Sequence, residues 1–327
     1  MGRSVPSMKA AVYYETGGPE VLRYEDVPDP VCGPRDVLVS VEAISIEGGD
    51  TLNRAGGEMA TTPHVVGYQC AGTIIEVGTD VTDRAVGQRV VTSFLWGSHA
   101  ELRAVPATVT WPVPDGADLV AVACVPIAFG TADDCLFEFG HLRAGETVLV
   151  HAAAGGVGIA AIQLAKRAGA TVIATASSDE RLERVRSLGI DHAVNYAHDG
   201  WVDAVRAATG GRGVDLVVDS VGGRVLAASV QCLVYRGRLI SVGSAGRDPQ
   251  PFDISVLGMG NHSLTGVFLG AEITGPRAYA MIARQIDDVA TGALQVLVDR
   301  TYQLAEAAEA HAYLESRQAV GRVVLIP

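Results

Sequence analysis

Between Thr147 and Gly158 the chain reads TVLVHAAAGGVG, a short apolar block that stops abruptly in small residues. The spacing Ala153-x-Gly155-x-x-Gly158 puts small side chains where a backbone must turn tightly, approach a pyrophosphate and let a helix lie close against a strand. Around that turn Ala154, Gly155, Gly156 and Val157 would offer backbone N–H groups at a helix start, where they hold an anion. The chemistry implied is dinucleotide binding. A small turn serves close packing of helix on sheet equally well, so the flanking pattern has to decide.

That pattern is strand, turn, helix, repeated. Thr147–Val150 is a continuous run of β-formers, as in a strand buried on both faces, and Ile159, Ile162 and Leu164 follow at helical spacing until Gly169 stops the helix. Strands at 171–176, 193–196, 214–219 and 238–242 alternate with helices at 179–188, 201–208 and 225–234, and a strand at 263–269 would close the sheet as its sixth. Such alternation predicts an α/β, doubly wound parallel sheet of the Rossmann kind. Ligands of these sheets lie beyond the carboxyl ends of the strands, which nominates Ser220 and Val221 after the fourth strand and Val242, Gly243 and Ser244 after the fifth. Gly222 and Gly223 there equally suit a turn.

The end of the second strand bears on which dinucleotide is held. A carboxylate about 20 residues beyond the fingerprint would accept from the ribose 2′-hydroxyl of NAD. The chain instead has Ala176-Ser177-Ser178, with Arg181 one turn into the helix. Two hydroxyls, a cation and a helix N-terminus suit a 2′-phosphate. Against this, Ser177 with Glu180 reads as a capping box, and Asp179 and Glu180 weaken the local positive field.

With 327 residues, of which 48% are hydrophobic, two domains are expected. The first 125 residues are rich in short strands (9–14, 36–43, 71–77, 89–94 and 100–105) separated by turn residues, which suggests a barrel or sandwich. Helix is expected at 126–130 and 132–139, at 276–291 and at 305–316. The final strand, 321–326, needs a partner sheet and is expected to return to the first domain. A net charge of −12 disfavours nucleic acid and anionic membrane surfaces. No apolar run is long enough to span a membrane, the start lacks an apolar signal core, and Gly2 sits in an acylation motif spoiled by Pro6. A cytoplasmic protein is the expectation. Five scattered cysteines without a CxxC pair argue against a disulfide framework or a structural zinc lobe.

Assembled, these residues resemble the medium-chain dehydrogenase/reductase superfamily and, within it, the zinc-independent quinone oxidoreductase (zeta-crystallin-like) branch. The likeness is carried by Met8-Lys9-Ala10, Gly17 to Leu22, Gly87-Gln88-Arg89-Val90, GETVLVHAAAGGVG, Asp191 to Tyr196, Gly210 to Gly223, Leu264-Thr265-Gly266 and Ala307 to Val324. It implies a GroES-like β-barrel domain formed by both chain ends (1–125 and 270–327), a Rossmann NADP-binding domain between them (126–269), an active cleft where they meet, and a homodimer joined through edge strands. It places Arg181, Tyr196 and Arg317 around the adenosine phosphate and Val267, Phe268 and Leu269 beside the nicotinamide, favouring NADPH. By composition alone Phe268 reads as a core residue.

In zinc-dependent relatives a Cys, and the His and Glu of a Gly-His-Glu motif, lie near the catalytic metal. Here Tyr68 and Gln69 replace the His and Glu, and Ile46 or Glu47 falls where the Cys would be, so no metal is expected. His64, nearby, reads as a hydrogen-bonded loop residue. The branch's substrate-side motif, Asn-x-x-Asp-x-Tyr-x-Arg, matches Glu47 to Arg54: Asp50 and Arg54 are retained and would pair with each other, while Glu47 replaces Asn and Leu52 replaces Tyr. Candidate catalytic residues are therefore Glu47, as a proton donor or a mere turn carboxylate, Tyr68, as a donor or a buried barrel aromatic, and Asp50. Gly48-Gly49 would widen the pocket or permit a sharp turn. The resemblance implies an NADPH-dependent reductase of a small-molecule quinone or α,β-unsaturated carbonyl compound; the alternative is a nicotinamide-binding, non-catalytic regulatory or structural relative.

Overall fold

A computed structural model describes residues 7–327, so the readings at Gly2 and Pro6 lie outside the described residues. Two compact units divide the chain, one running to Ile127 and resuming at Gly270–Pro327, the other Ala128–Leu269.

The first unit opens with strands β1 (Ser7–Tyr13), β2 (Arg23–Pro28) and β3 (Asp36–Ser45). Helix α1 (Gly48–Gly56) precedes β4 (His64–Val65), β5 (Gln69–Val77), β6 (Arg89–Ser93), β7 (Leu102–Pro106) and β8 (Thr110–Pro112). Two short helices, α2 (Leu119–Ala123) and α3 (Val125–Asp133), then lead out of it.

The second unit is a six-stranded parallel sheet built from β9 (Thr147–Val150), β10 (Thr171–Ala176), β11 (His192–Asn195), β12 (Val214–Asp219), β13 (Leu233–Ser241) and β14 (Ser263–Gly266), in the order β11-β10-β9-β12-β13-β14. Helices α4 (Gly156–Arg167), α5 (Asp179–Val185), α6 (Trp201–Ala208) and α7 (Gly223–Ser229) connect them. This is the doubly wound order, with the strand sequence reversing beside β9. Leu149, Ile173, Val217 and Leu239, from four adjacent strands, share one buried cluster, and β9, β10 and β12, buried almost throughout, read as apolar runs.

The chain returns to the first unit with α8 (Pro276–Ala290), β15 (Val298–Gln303), α9 (Ala307–Glu315) and β16 (Arg322–Ile326). β16 pairs antiparallel with β3, as expected of a terminal strand needing a sheet, and its other edge takes β15 in parallel. The resulting sheet runs β15-β16-β3-β5-β6-β8 with β7 also on β3, while β2-β1-β4 form a second, smaller sheet. Val37, Val39, Ile74, Val90 and Val105 fill the space between strands on one side. Ile44, Ile46, Cys70 and Leu325 fill another cluster, together with Ala310 from α9.

Several boundaries differ from the sequence reading. The sixth strand ends at Gly266, short of Leu269, and Leu269–Ala271 turns as a 3-10 helix. β13 begins at Leu233 and absorbs residues expected to end a helix, which itself stops at Ser229. Residues expected as two helices around 126–139 form α3 continued by a π-helical turn, Asp134–Glu138. Among the described residues no helix is long and apolar enough to cross a membrane.

Candidate active site

The phosphate-binding candidate begins where β9 ends. Ala152 takes a left-handed conformation (φ 49°), the Ala153 N–H donates to the Thr175 carbonyl at 2.9 Å, and Gly155 caps α4 with an extended backbone. The first intrahelical bond runs from the Ile159 N–H to the Gly155 carbonyl at 2.9 Å, so the N–H groups of Gly156, Val157 and Gly158 have no partner within the helix. Ala154 lies buried just before them. At Gly158 a Cβ would come within 2.7 Å of the Ala153 Cα, so only glycine lets the helix start lie this close to the turn. Small residues, a close approach and orphan N–H groups together fit the pyrophosphate of a dinucleotide.

Toward the β11 side, strand register brings the next candidates together. Ala176 on β10 lies opposite Asn195 on β11, and the Tyr196 N–H donates to the Ala176 carbonyl at 3.1 Å. Ser177 and Ser178 therefore leave the sheet beside Tyr196. The Ser178 hydroxyl caps α5 by accepting from the Arg181 N–H at 3.3 Å. The cap is thus Ser178 and not a box between Ser177 and Glu180, and the Ser177 side chain is exposed and uncommitted to it. Under Tyr196 lies buried His151, ring centroids 6.4 Å apart, with one ring nitrogen 2.7 Å from the Thr175 hydroxyl and the other 2.8 Å from that of Ser229. The sequence reading passed over His151, though a polar residue between an apolar strand and the small turn was its visible signal.

On the other side of β9, the buried Asp219 accepts the Val221 and Gly222 N–H groups at 2.8 and 2.7 Å. The Ala245 and Gly246 N–H groups donate to the Ser220 and Val221 carbonyls at 3.0 and 2.8 Å, tying the loop of Ser220 and Val221 to that of Val242, Gly243 and Ser244. The Val267 N–H donates to the Ser241 carbonyl at 2.9 Å, extending the same edge. Val267 and Leu269 are buried, but Phe268 is 72% exposed and is no core residue. Arg317 belongs to the other unit, in a left-handed turn (φ 59°) after α9.

The first unit gathers the remaining candidates around the start of α1. Glu47 is the N-cap and Asp50 the third helical residue; the Asp50 carboxylate accepts the Glu47 N–H at 2.8 Å and the Tyr68 N–H at 3.2 Å. The Glu47 carboxylate takes hydrogen bonds from Gln69 and from Arg322, whose guanidinium also reaches the Ser45 hydroxyl at 2.8 Å and the Ile46 carbonyl at 2.7 Å. Gln69 in turn accepts the Ile127 N–H at 3.0 Å. Burial pushes the Glu47 carboxyl up to about 7 against the pull of Arg322, and pushes Asp50 up to about 8. Tyr68 remains half-buried, and burial beside Asp50 raises its phenol to about 12.

Sequence reasoning missed Gln69, Arg322 and Asn53 as members of this cluster. Gln69 was legible as the neighbour of Tyr68; Arg322 lies 275 residues from its partner Glu47 and gave no local signal. The expected pairing of Asp50 with Arg54 does not form. Buried Arg54 instead binds Glu315 at 2.8 Å, His311 at 3.2 Å and the Gly17 carbonyl at 3.2 Å. His64 is a buried strand residue whose ring accepts the Ala60 N–H at 3.3 Å, and Cys70 is buried in the sheet beside Thr92. Among the described residues no group of three or more His, Cys, Asp and Glu is placed to hold a metal ion.

A dinucleotide-type parallel sheet together with a mainly antiparallel unit drawn from both chain ends defines a medium-chain dehydrogenase/reductase. Residues 33–115 match the family described as alcohol dehydrogenase GroES-like domain, and 156–284 that described as zinc-binding dehydrogenase. The chain is 35% identical to a 2-haloacrylate reductase of Burkholderia sp, covering 97% of this chain and 98% of that protein. It is 34% identical to a quinone oxidoreductase of Pseudomonas aeruginosa, covering 95% and 97%. Among solved structures, the quinone oxidoreductase of Escherichia coli complexed with NADPH superposes with a TM-score of 0.92 at 28% identity, covering 98% of this chain and 100% of that one. The chain belongs to the quinone oxidoreductase branch of the superfamily.

Proposed function

We propose that the protein is an NADPH-dependent reductase that delivers hydride to a quinone or to an α,β-unsaturated carbonyl compound, working without zinc. The observation that carries the cofactor choice is the end of β10, where Ser177 and Ser178 occupy the position that a ribose-binding carboxylate would need, with Tyr196 alongside and Arg181 one turn on. The orphan N–H groups of Gly156 and Val157 would hold the pyrophosphate, and Arg181 would meet the adenosine phosphate. When bound, the reduced nicotinamide supplies the hydride.

The protein's own part is placement and charge. Tyr68, kept protonated by its high pKa, would donate a hydrogen bond to the carbonyl oxygen on which negative charge develops. Glu47 and Asp50 are buried and bonded to protein groups, so their proposed role is to hold the start of α1 and the Tyr68 peptide in place. We further read the protein as a cytoplasmic homodimer, for which β14 offers an edge strand.

NADPH oxidation followed at 340 nm against quinones, enones and enoyl thioesters, with NADH in parallel, tests the reading. Turnover with NADPH in preference to NADH is expected, and Arg181→Ala should raise KM for NADPH while leaving that for NADH little changed. Saturable NADPH binding with no turnover on any acceptor would replace the reductase by a nicotinamide-binding regulatory or structural protein, the reading to which the loss of the motif tyrosine at Leu52 gives its support.

A further inference from the structure

Tyr68 is held from four directions, and three of them come from α1. Its N–H donates to Asp50 at 3.2 Å, and its carbonyl accepts from the buried Arg103 guanidinium at 3.0 Å. Its ring lies over Gly49, where a Cβ would come within 2.8 Å of the hydroxyl oxygen, so only glycine leaves the ring its place. Its hydroxyl accepts a hydrogen bond from the Asn53 side-chain amide at 2.9 Å. Gly49 and Asn53 are one helical turn apart and so face the same way.

A tyrosine hydroxyl has one hydrogen and two lone pairs. With the Asn53 amide donating to one lone pair, the hydroxyl hydrogen must point away from Asn53, and among the described residues no acceptor is recorded for it. The side chain is half-buried, so the hydrogen is left for a molecule from outside.

We propose that Asn53 is a positioning residue that fixes the Tyr68 hydroxyl as a hydrogen-bond donor to the carbonyl oxygen of the substrate. The inference rests on the reductase reading given above. It assigns a working pair, Tyr68 with Asn53, in a motif whose own tyrosine position is occupied by the 46% exposed Leu52. No bond to Tyr68 breaks in this role: hydride goes from the reduced nicotinamide to the substrate carbon, Tyr68 stabilises the resulting oxyanion, and the proton that completes the product comes from water.

Asn53→Asp reverses the donor. Above the pKa of the new carboxyl, the carboxylate accepts the Tyr68 hydrogen and removes it from the substrate; below it, the protonated acid donates again as the amide did. The groups facing Tyr68 are Asp50 and Glu47 at the start of α1, Tyr13 on β1 and Arg103 on β7. Because Glu47 and Asp50, at about 7 and about 8, titrate in the same range, the Asn53→Asp profile is read as its ratio to the wild type at each pH.

Tyr68→Phe is expected to lower kcat about 100-fold, the usual effect of losing one oxyanion donor. Asn53→Ala should lower kcat about tenfold, with KM nearly constant, since the freed hydroxyl can still find the substrate part of the time. Asn53→Asp should match Tyr68→Phe at pH 8 and recover as the pH falls, a profile that a merely structural role would not produce. Added to Tyr68→Phe, Asn53→Asp should cost nothing more. An equal further loss in that background, or a flat pH profile, overturns the proposal.

The ζ-carbon resonance of 13C-tyrosine-labelled protein, assigned by its absence in Tyr68→Phe, gives a readout independent of turnover. It should move in Asn53→Asp, and an unmoved resonance overturns the assignment. A wild-type protein without turnover would sink the reductase reading, while the resonance still decides the hydrogen bond. Thermal midpoints of all variants separate these effects from misfolding.

Discussion

At the scale of single residues, the Glu47 and Arg322 pair is a buried ion pair beside the start of α1. Both side chains are over nine-tenths buried, and Arg322 also satisfies Ser45 and the Ile46 carbonyl. A buried pair of this kind gains little over an apolar pair, but breaking it leaves an uncompensated charge. Glu47→Gln should therefore cost about 3–5 kcal/mol of stability, read from denaturant unfolding at pH 8.5, above the Glu47 value of about 7, where the pair is charged. Replacing both partners together, Glu47→Leu with Arg322→Met, should recover most of that loss. Equal stability of the single variant and the wild type would show that Arg322 is solvated or re-paired. The pair also explains why the Glu47 carboxyl is a poor candidate to meet substrate: both its partners are protein groups that hold β16 and β5 against the end of β3.

At the scale of elements, the close seat of α4 on the turn after β9 is the feature to test. Gly158→Ala would drive a methyl into the backbone of Ala153, which should cost about 1–3 kcal/mol as overpacking and tilt the orphan N–H groups away from the pyrophosphate. Weakened NADPH binding in a fluorescence titration, together with a lower thermal midpoint, is the expected pair of results; a lower midpoint with unchanged binding would separate packing from anion recognition. That element was legible in sequence because its strand is buried on both faces and its turn must be small. The strands β9, β10 and β12 share the property and were readable as apolar runs, whereas β13 (LVYRGRLIS) has exposed residues in its first half and was readable only in its second. α1 was not, since it opens on Gly48-Gly49 and its inward face is the polar set Asp50, Thr51 and Arg54. β15 was missed for a related reason: VDRTYQ is exposed or half-exposed throughout and owes its conformation to parallel pairing with β16. The site divides in the same way, with the phosphate turn visible locally and the Glu47, Gln69 and Arg322 cluster assembled only by long-range pairing.

At the scale of the whole molecule, buried titratable groups set how stability depends on pH. A chain of hydrogen bonds runs from Glu315 on α9 through Arg54 on α1 to His311 and on to His99, whose ring lies 3.0 Å from that of His311. Arg54 donates to the His311 Nδ1, so His311 carries its proton on Nε2 and donates to His99, which in turn donates through Nδ1 to the Ser98 hydroxyl. Neither ring has room for a second proton beside the Arg54 and Arg103 guanidiniums. Burial lowers His99 to about 3 and His311 well below its ordinary 6.5, and lowers His151 in the other unit as well. As the pH falls below about 6.5 the unfolded chain takes up protons that the folded chain refuses, so stability declines toward acid. Glu47 and Asp50 act in the opposite sense. Their folded values, about 7 and about 8, lie above the unfolded 4.5 and 3.8, so the folded chain holds protons that the unfolded chain has shed. That contribution is present at low pH and is lost as the pH rises to about 8. The two effects oppose each other between about 4.5 and 6.5; below that window only the histidines act, and above it only the carboxyls. Urea unfolding at pH 4, 5.5, 7 and 8.5 should therefore give its largest free energy at one of the middle two values, with slopes of about 1.4 kcal/mol per pH unit for each group titrating. His311→Gln should flatten the acid limb and leave the alkaline limb in place. An acid limb as steep in the variant as in the wild type would move the origin of acid sensitivity from this chain of rings to the remaining buried histidines, His64 and His151.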